Sequence, residues 1–200
     1  MNLVAEALRD LNEWPTSVDI QEQALEISRR TLGRNDTFSI KCVNDLANAL
    51  ADGGNLEEAE AFQEDALSLY QDVHGNENVD TLICMTDLAM LYLQIGGKTA
   101  EAITMLRFVL VFCERALLES RCSIDKMRLN LTKALRLHGD EIAAASRESE
   151  DKDPTRGAKA LHQEAESMYQ QVLAPREHIH EYSALHVMDS LGYVVTQSSS

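Results

Sequence analysis

Positive charge is scarce in this chain. Its 200 residues hold 18 Lys and Arg against 33 Asp and Glu, a formal net charge of −15. Binding to phosphate backbones and anionic lipid is driven by basic side chains, so the balance argues against nucleic acid and membrane surfaces as partners. Long apolar runs are missing as well: no stretch approaches the roughly 18 residues that a membrane-spanning helix needs. The opening Met1-Asn2-Leu3-Val4 has no basic segment leading into an apolar one, so no secretory leader is expected.

The chemistry-bearing motifs are absent too. The four cysteines, Cys42, Cys84, Cys113 and Cys122, form no Cys-x-x-Cys pair. Small buried thiols in a reducing compartment are expected, which points to the cytoplasm. Asp52-Gly53-Gly54 and Gly96-Gly97 are turn glycines with no following Lys-Ser/Thr, so there is no phosphate loop. No Gly-x-Ser-x-Gly elbow occurs. His178, His180 and His186 cluster, but after His180-Glu181 the next histidine comes six positions on, where a zinc helix needs four. The carboxylates fall on outward positions, where none is forced into a low-dielectric pocket. No enzymatic activity, cofactor or metal is expected.

What the chain does have is repetition. Asn44-Asp45-Leu46-Ala47, Gly54 and Glu58-Ala59 return as Thr86-Asp87-Leu88-Ala89, Gly96 and Glu101-Ala102. Gly33 and Gly75 stand 42 positions apart, as do Ala24-Leu25 and Ala66-Leu67, and Cys42 and Cys84. A fixed period of this size means stacked supersecondary units. In the second unit Val43, Leu46, Ala47 and Leu50 recur at helical spacing, and Asp52-Gly53-Gly54 ends that helix. A second helix from about Leu56 turns Ala59, Phe62, Ala66, Leu69 and Tyr70 inward, with Val73 closing the stripe. The small residues matter because antiparallel helices approach to roughly 8–10 Å only where side chains are short.

The template extends over the chain. A first unit spans 1–36, a second 37–79, a third 80–123 and a fourth 124–176. The fourth holds Leu131, Leu135 and Gly139 in its first helix and Ala158, Leu161, Ala165, Met168 and Tyr169 in its second. Between them lies an acidic insertion at about 140–154. Glu141–Ala145 extends the first helix there, and the charged Ser146–Pro154 reads as a surface loop. A fifth first helix or a capping helix occupies 177–197, where Met188, Asp189, Leu191 and Val195 match Val43, Asn44, Leu46 and Leu50, and 198–200 is a flexible tail.

The order Leu, small, Leu or Tyr, Gly, small, small resembles the tetratricopeptide repeat. The 42-residue period, Leu32-Gly33, Ser39-Ile40 and Thr81-Leu82 make it similar to the repeats of kinesin light chains. The resemblance implies an all-α, right-handed α-solenoid of helical hairpins that acts as a non-catalytic protein-interaction scaffold. It also implies that the first helices line a concave groove. On that face fall Lys41, Asn44, Asn48 and Asp52 in the second repeat. Ile83, Thr86, Met90 and Leu93 follow in the third, and Lys126, Leu129, Lys133, Arg136 and Leu137 in the fourth. The middle is apolar, one side amide-rich and the other basic. Asparagines can bond an extended peptide backbone, a Met-containing patch can take an apolar anchor, and a cationic cluster selects acids. The expected guest is an extended peptide with a bulky apolar residue flanked by acids, similar to the tryptophan-acidic motifs read by the kinesin light chain class. Asn2 and Glu6 stand where a chaperone-carboxylate clamp would want Lys and Asn, which argues against that ligand. The rival reading is a structural segment of a longer array that self-associates through its terminal faces.

Overall fold

The computed structural model describes residues 14–115, 124–148 and 155–173. Among them are seven helices and no strand. These are α1 (Trp14–Thr31), α2 (Thr37–Asp52), α3 (Leu56–His74), α4 (Val79–Ile95), α5 (Thr99–Arg115), α6 (Ile124–Glu148) and α7 (Thr155–Leu173). The expected first helix of the first repeat, the fifth-repeat helix, Cys122 and the three clustered histidines lie outside the described residues.

Local chemistry sets the helix ends. Asp36 Oδ1 accepts the Phe38 N–H at 2.9 Å, and Asn78 Oδ1 accepts the Asp80 N–H at 2.8 Å, capping α2 and α4. Each cap satisfies a donor that the helix itself leaves orphaned. Gly75 and Gly96 close α3 and α4 at φ 80°, ψ 170° and φ 79°, ψ 165°. That backbone region is open essentially to glycine alone. Their N–H groups donate back to the Gln71 and Tyr92 carbonyls at 2.9 and 3.0 Å.

Each helix packs on the next along the chain, from α1 against α2 to α6 against α7. In addition α2 touches α4, and α4 touches α6. The row α1, α3, α5, α7 makes no comparable contact among the described residues, so the α2–α4–α6 side is the inside of the bend. This is the arrangement of an α-solenoid, in which each unit contacts its neighbours alone. Its core is one continuous seam that includes Ile40, Leu46, Leu82, Leu88, Leu106, Leu131 and Leu135, all fully buried. Each such side chain stabilises the fold by about 1.5–3 kcal/mol relative to exposure. Ala47, Ala59, Ala66, Ala89 and Ala102 are also fully buried, which lets the paired helices close up. Cys42, Cys84 and Cys113 are buried in the same seam and form no disulfide with one another.

The fourth repeat departs from the template. Gly139 occupies the place that Gly54 holds in the second repeat, yet α6 runs straight through it to Glu148. Ser146, Arg147 and Glu148, expected in a loop, are therefore helical. Gly139 serves close approach instead of a turn: a Cβ there would lie 2.6 Å from His162 Nε2 of α7. The His162 ring rests on that bare backbone and reaches Asp140 Oδ1 at 3.2 Å.

Candidate functional site

The inner row carries the residues expected to line the groove. At its α2 end Lys41 is exposed and pairs with Asp45 one turn on, with Nζ 3.0 and 2.9 Å from the two carboxylate oxygens. Asn44 is only 8% exposed. Its Oδ1 accepts from Gln63 Nε2 at 2.6 Å, and its Nδ2 donates to Asp87 Oδ2 at 3.1 Å. Asn48 donates to the same oxygen at 3.2 Å. Both amides thus hold a carboxylate of the next repeat. Gln63 also donates to the Cys84 carbonyl at 3.4 Å, so one polar seam ties α2, α3 and α4. Burial pushes the Cys84 thiol well above its usual range, with Asp87 adding to the effect and the Gln63 hydrogen bond opposing it. Asp52 is exposed at the end of α2.

In the middle, Thr86 is buried, and its hydroxyl donates to the Leu82 carbonyl at 2.9 Å, one turn back in its own helix. Its Oγ1 also lies 3.5 Å from Met127 Sδ of α6. Ile83, Met90 and Leu93 are half-buried.

The α6 end is where expected residues converge. Met90, Leu129, Lys133, Arg136 and Leu137 line one cleft of about 360 Å³, together with Asn130, Thr132, Asp140 and Tyr169. Helical spacing explains this: 129, 133, 136 and 140 fall on one face of α6. Lys133 and Arg136 are exposed and Leu129 is half-buried. Lys126, also exposed, lies one turn before the cleft. A second hollow of about 310 Å³ adjoins it across Arg136 and is lined in addition by His162, Ala165 and Glu166 of α7.

Tyr169 stands at the junction of the two hollows. Its hydroxyl is shielded from solvent and finds no hydrogen-bond partner among the described residues. Burial and the Glu166 carboxylate raise it above the usual phenol range, with Arg136 opposing. Sequence reasoning had Tyr169 as an inward residue equivalent to Tyr70 and gave no role to Asp87 or Gln63. The signal for the latter pair was present: Asp87 repeats Asp45 at the 42-residue period, and Gln63 repeats Gln21.

Among the described residues no group of three or more His, Cys, Asp and Glu could hold a metal ion. None of the described helices is long and apolar enough to cross a membrane.

Family models described as tetratricopeptide repeat match residues 1–37 and 36–110, together more than half of the chain. The search of curated proteins returned no match. Among solved structures, one similar fold is a Podosopora anserina protein described as a kinesin light chain of nearly identical TPR-like repeats. It is 20% identical with a TM-score of 0.65, and the alignment covers 86% of this chain and 92% of that one. A single-substitution variant of it aligns with a TM-score of 0.64, at 20% identity over 86% and 91%. BtubC (BKLC) of P. vanneervenii is 17% identical with a TM-score of 0.64, over 91% of this chain and 66% of its own. The chain therefore belongs to the tetratricopeptide-repeat proteins, a family of protein-interaction scaffolds that are in general non-catalytic, and its fold is of the kinesin light chain-like kind.

Proposed function

We propose that the inner groove holds an extended peptide segment of a protein partner, with a bulky apolar residue in the α4–α6 cleft and acidic residues beside it. The observation that carries this reading is the convergence of Met90, Leu129 and Leu137 with Lys133 and Arg136 around a single hollow. Met and Leu give a soft apolar floor that can adapt to a large side chain. Lys133 and Arg136 rise from the same helix face and offer charge to carboxylates on either side of that anchor. On the α2 side, Asn48 keeps its carbonyl oxygen for a peptide N–H, while its amide nitrogen is engaged with Asp87.

The test is a fluorescence-anisotropy titration of a labelled peptide in which one Trp is flanked by Asp and Glu. The paired change Lys133→Glu with Arg136→Glu should weaken binding about tenfold or more, since it turns attraction into repulsion. A peptide with Asn and Gln in place of the acids should lose affinity for the unaltered protein to a similar degree. Unchanged affinity in the charge-reversed variant refutes the assignment. Concentration-dependent oligomers without peptide binding would favour self-assembly instead.

A further inference from the structure

The outer row of helices has its own periodic surface. One outward position holds Gln23 in α1, Asp65 in α3, Phe108 in α5 and Glu164 in α7. The position three residues on holds Glu26, Ser68, Val111 and Ser167. Three of the four helices keep both sites polar. In α5 both are apolar, and Phe108 and Val111 are 37% and 49% exposed. Phe108 also stacks against Phe112 at 4.6 Å between ring centroids.

The neighbours of that position change with it. Between the first and second repeats, Asp65 accepts from Arg29 at 3.4 Å and from Arg34, so ion pairs cross the junction. One period later Gln71 replaces Arg29, Asn76 replaces Arg34 and Phe108 replaces Asp65. All three charges vanish together. A notch of about 260 Å³ opens there, lined by Leu67, Gln71, Asn76, Met85, Met105 and Phe108 among others. The rim is acidic. Glu101 lies one turn before Met105, Asp72 and Glu77 adjoin Gln71 and Asn76, and all three acids are exposed. Arg107, the base beside Phe108, is engaged by both oxygens of Glu164 at 2.7 and 2.8 Å.

We propose that this outer notch between α3 and α5 docks an amphipathic helix of a protein partner, which seats one large apolar side chain against Met105 and Phe108 and turns Lys or Arg toward the acidic rim. A helix suits the site because the notch runs between two parallel helices, where the ridge of a third can settle. Charge decides the rest. A second copy of this chain would bring −15 against −15 and acidic rim against acidic rim, whereas a basic flank is complementary. The surface lies on the outer row, so it stands independently of the groove reading.

The experiment uses the full chain and a displayed library of helical peptides, randomised at one apolar stripe and at its flanks. The control is the triple variant Gln71→Arg, Asn76→Arg, Phe108→Asp, which installs in the second junction the ion pairs of the first. Peptides enriched on the unaltered chain should carry Leu, Met or aromatic residues on the stripe and Lys or Arg on the flanks. Their affinity should fall at least about tenfold in the triple variant and stay unchanged in the Lys133→Glu, Arg136→Glu groove variant. Circular dichroism should find the triple variant as helical and as heat-stable as the original, because Asn76 and Phe108 are exposed, Gln71 is half-buried, and the new pairs already exist one repeat earlier. Failure to enrich, enrichment of acidic or non-helical peptides, or equal binding by the triple variant would each overturn the proposal. A dimer in sedimentation analysis that the triple variant abolishes would overturn it in favour of self-association.

Discussion

Replacing Gln63 by Leu tests the polar seam that joins the second and third repeats. Gln63 is 1% exposed, and its Nε2 is the donor to Asn44 Oδ1 at 2.6 Å. Leucine fills nearly the same volume and adds apolar surface but leaves the Asn44 oxygen, in a residue 8% exposed, without its donor. An orphaned buried acceptor costs about 1–3 kcal/mol, and the better burial of Leu offsets about 1 kcal/mol of that. The midpoint of that range leaves a net loss of about 1 kcal/mol, equivalent to a Tm lower by about 2–4 °C in a chain of this size. The array contains a compensated version of the same site. In the third repeat Leu106 stands at the place of Gln63 and Thr86 at that of Asn44, with the Thr86 hydroxyl bonded to its own helix at 2.9 Å. The double variant Gln63→Leu, Asn44→Thr should therefore return to within about 1 kcal/mol of the original, a coupling that a double-mutant cycle reads directly. Urea unfolding followed by circular dichroism on all four proteins supplies the cycle. A neutral single variant, or a double variant whose cost is the sum of its parts, would refute the assigned role of the hydrogen bond.

Gly96→Ala should destabilise by about 1–3 kcal/mol, because φ 79° with ψ 165° is strained for any residue with a Cβ even though space around it is open; a Tm within 1 °C, by the scaling of about 2–4 °C per kcal/mol, would contradict that. Tyr92 donates its hydroxyl to Glu64 at 2.9 Å, and burial, this hydrogen bond and nearby carboxylates hold it above the usual phenol range. Its contribution is complete below about pH 10, the unfolded value, and fades as pH rises beyond that because the unfolded chain ionises first. Tyr92→Phe should flatten the alkaline fall in stability, and an identical pH profile would exclude Tyr92 as a source of it.

The hairpin stack was legible because its determinants are local and periodic. Ala59 and Ala102 had to be small, Gly33 and Gly75 had to be glycine, and Leu46 and Leu88 had to be apolar, so each pair left a mark 42 or 43 positions apart. The role of Gly139 was not legible in the same way. The sequence already carries the first helix past it through Glu141–Ala145, but nothing in the residue types shows that the His162 ring occupies the space a Cβ would need. Residue type alone does not reveal which of its two freedoms, backbone or bulk, a glycine supplies. The groove divides along similar lines. Leu129, Lys133 and Arg136 were readable as one face because helical spacing alone aligns them, whereas Met90 joins them from α4. That Asn44 is engaged with Gln63 and Asp87 depends on partners 19 and 43 positions away. Short-range spacing carries no trace of such bonds, and the repeats of Asp45 at Asp87 and of Gln21 at Gln63 are the marks they left in the sequence.

The unequal length of the first helices has a bearing on how such an array can diversify. With 25 residues against 16 in α2, α6 rises about 38 Å where α2 rises about 24 Å. The surplus projects along the helix axis, at right angles to the direction in which repeats are added. Heightening one palisade in this way leaves the order and spacing of its neighbours untouched, so a single unit can be tailored without renegotiating the rest of the fence.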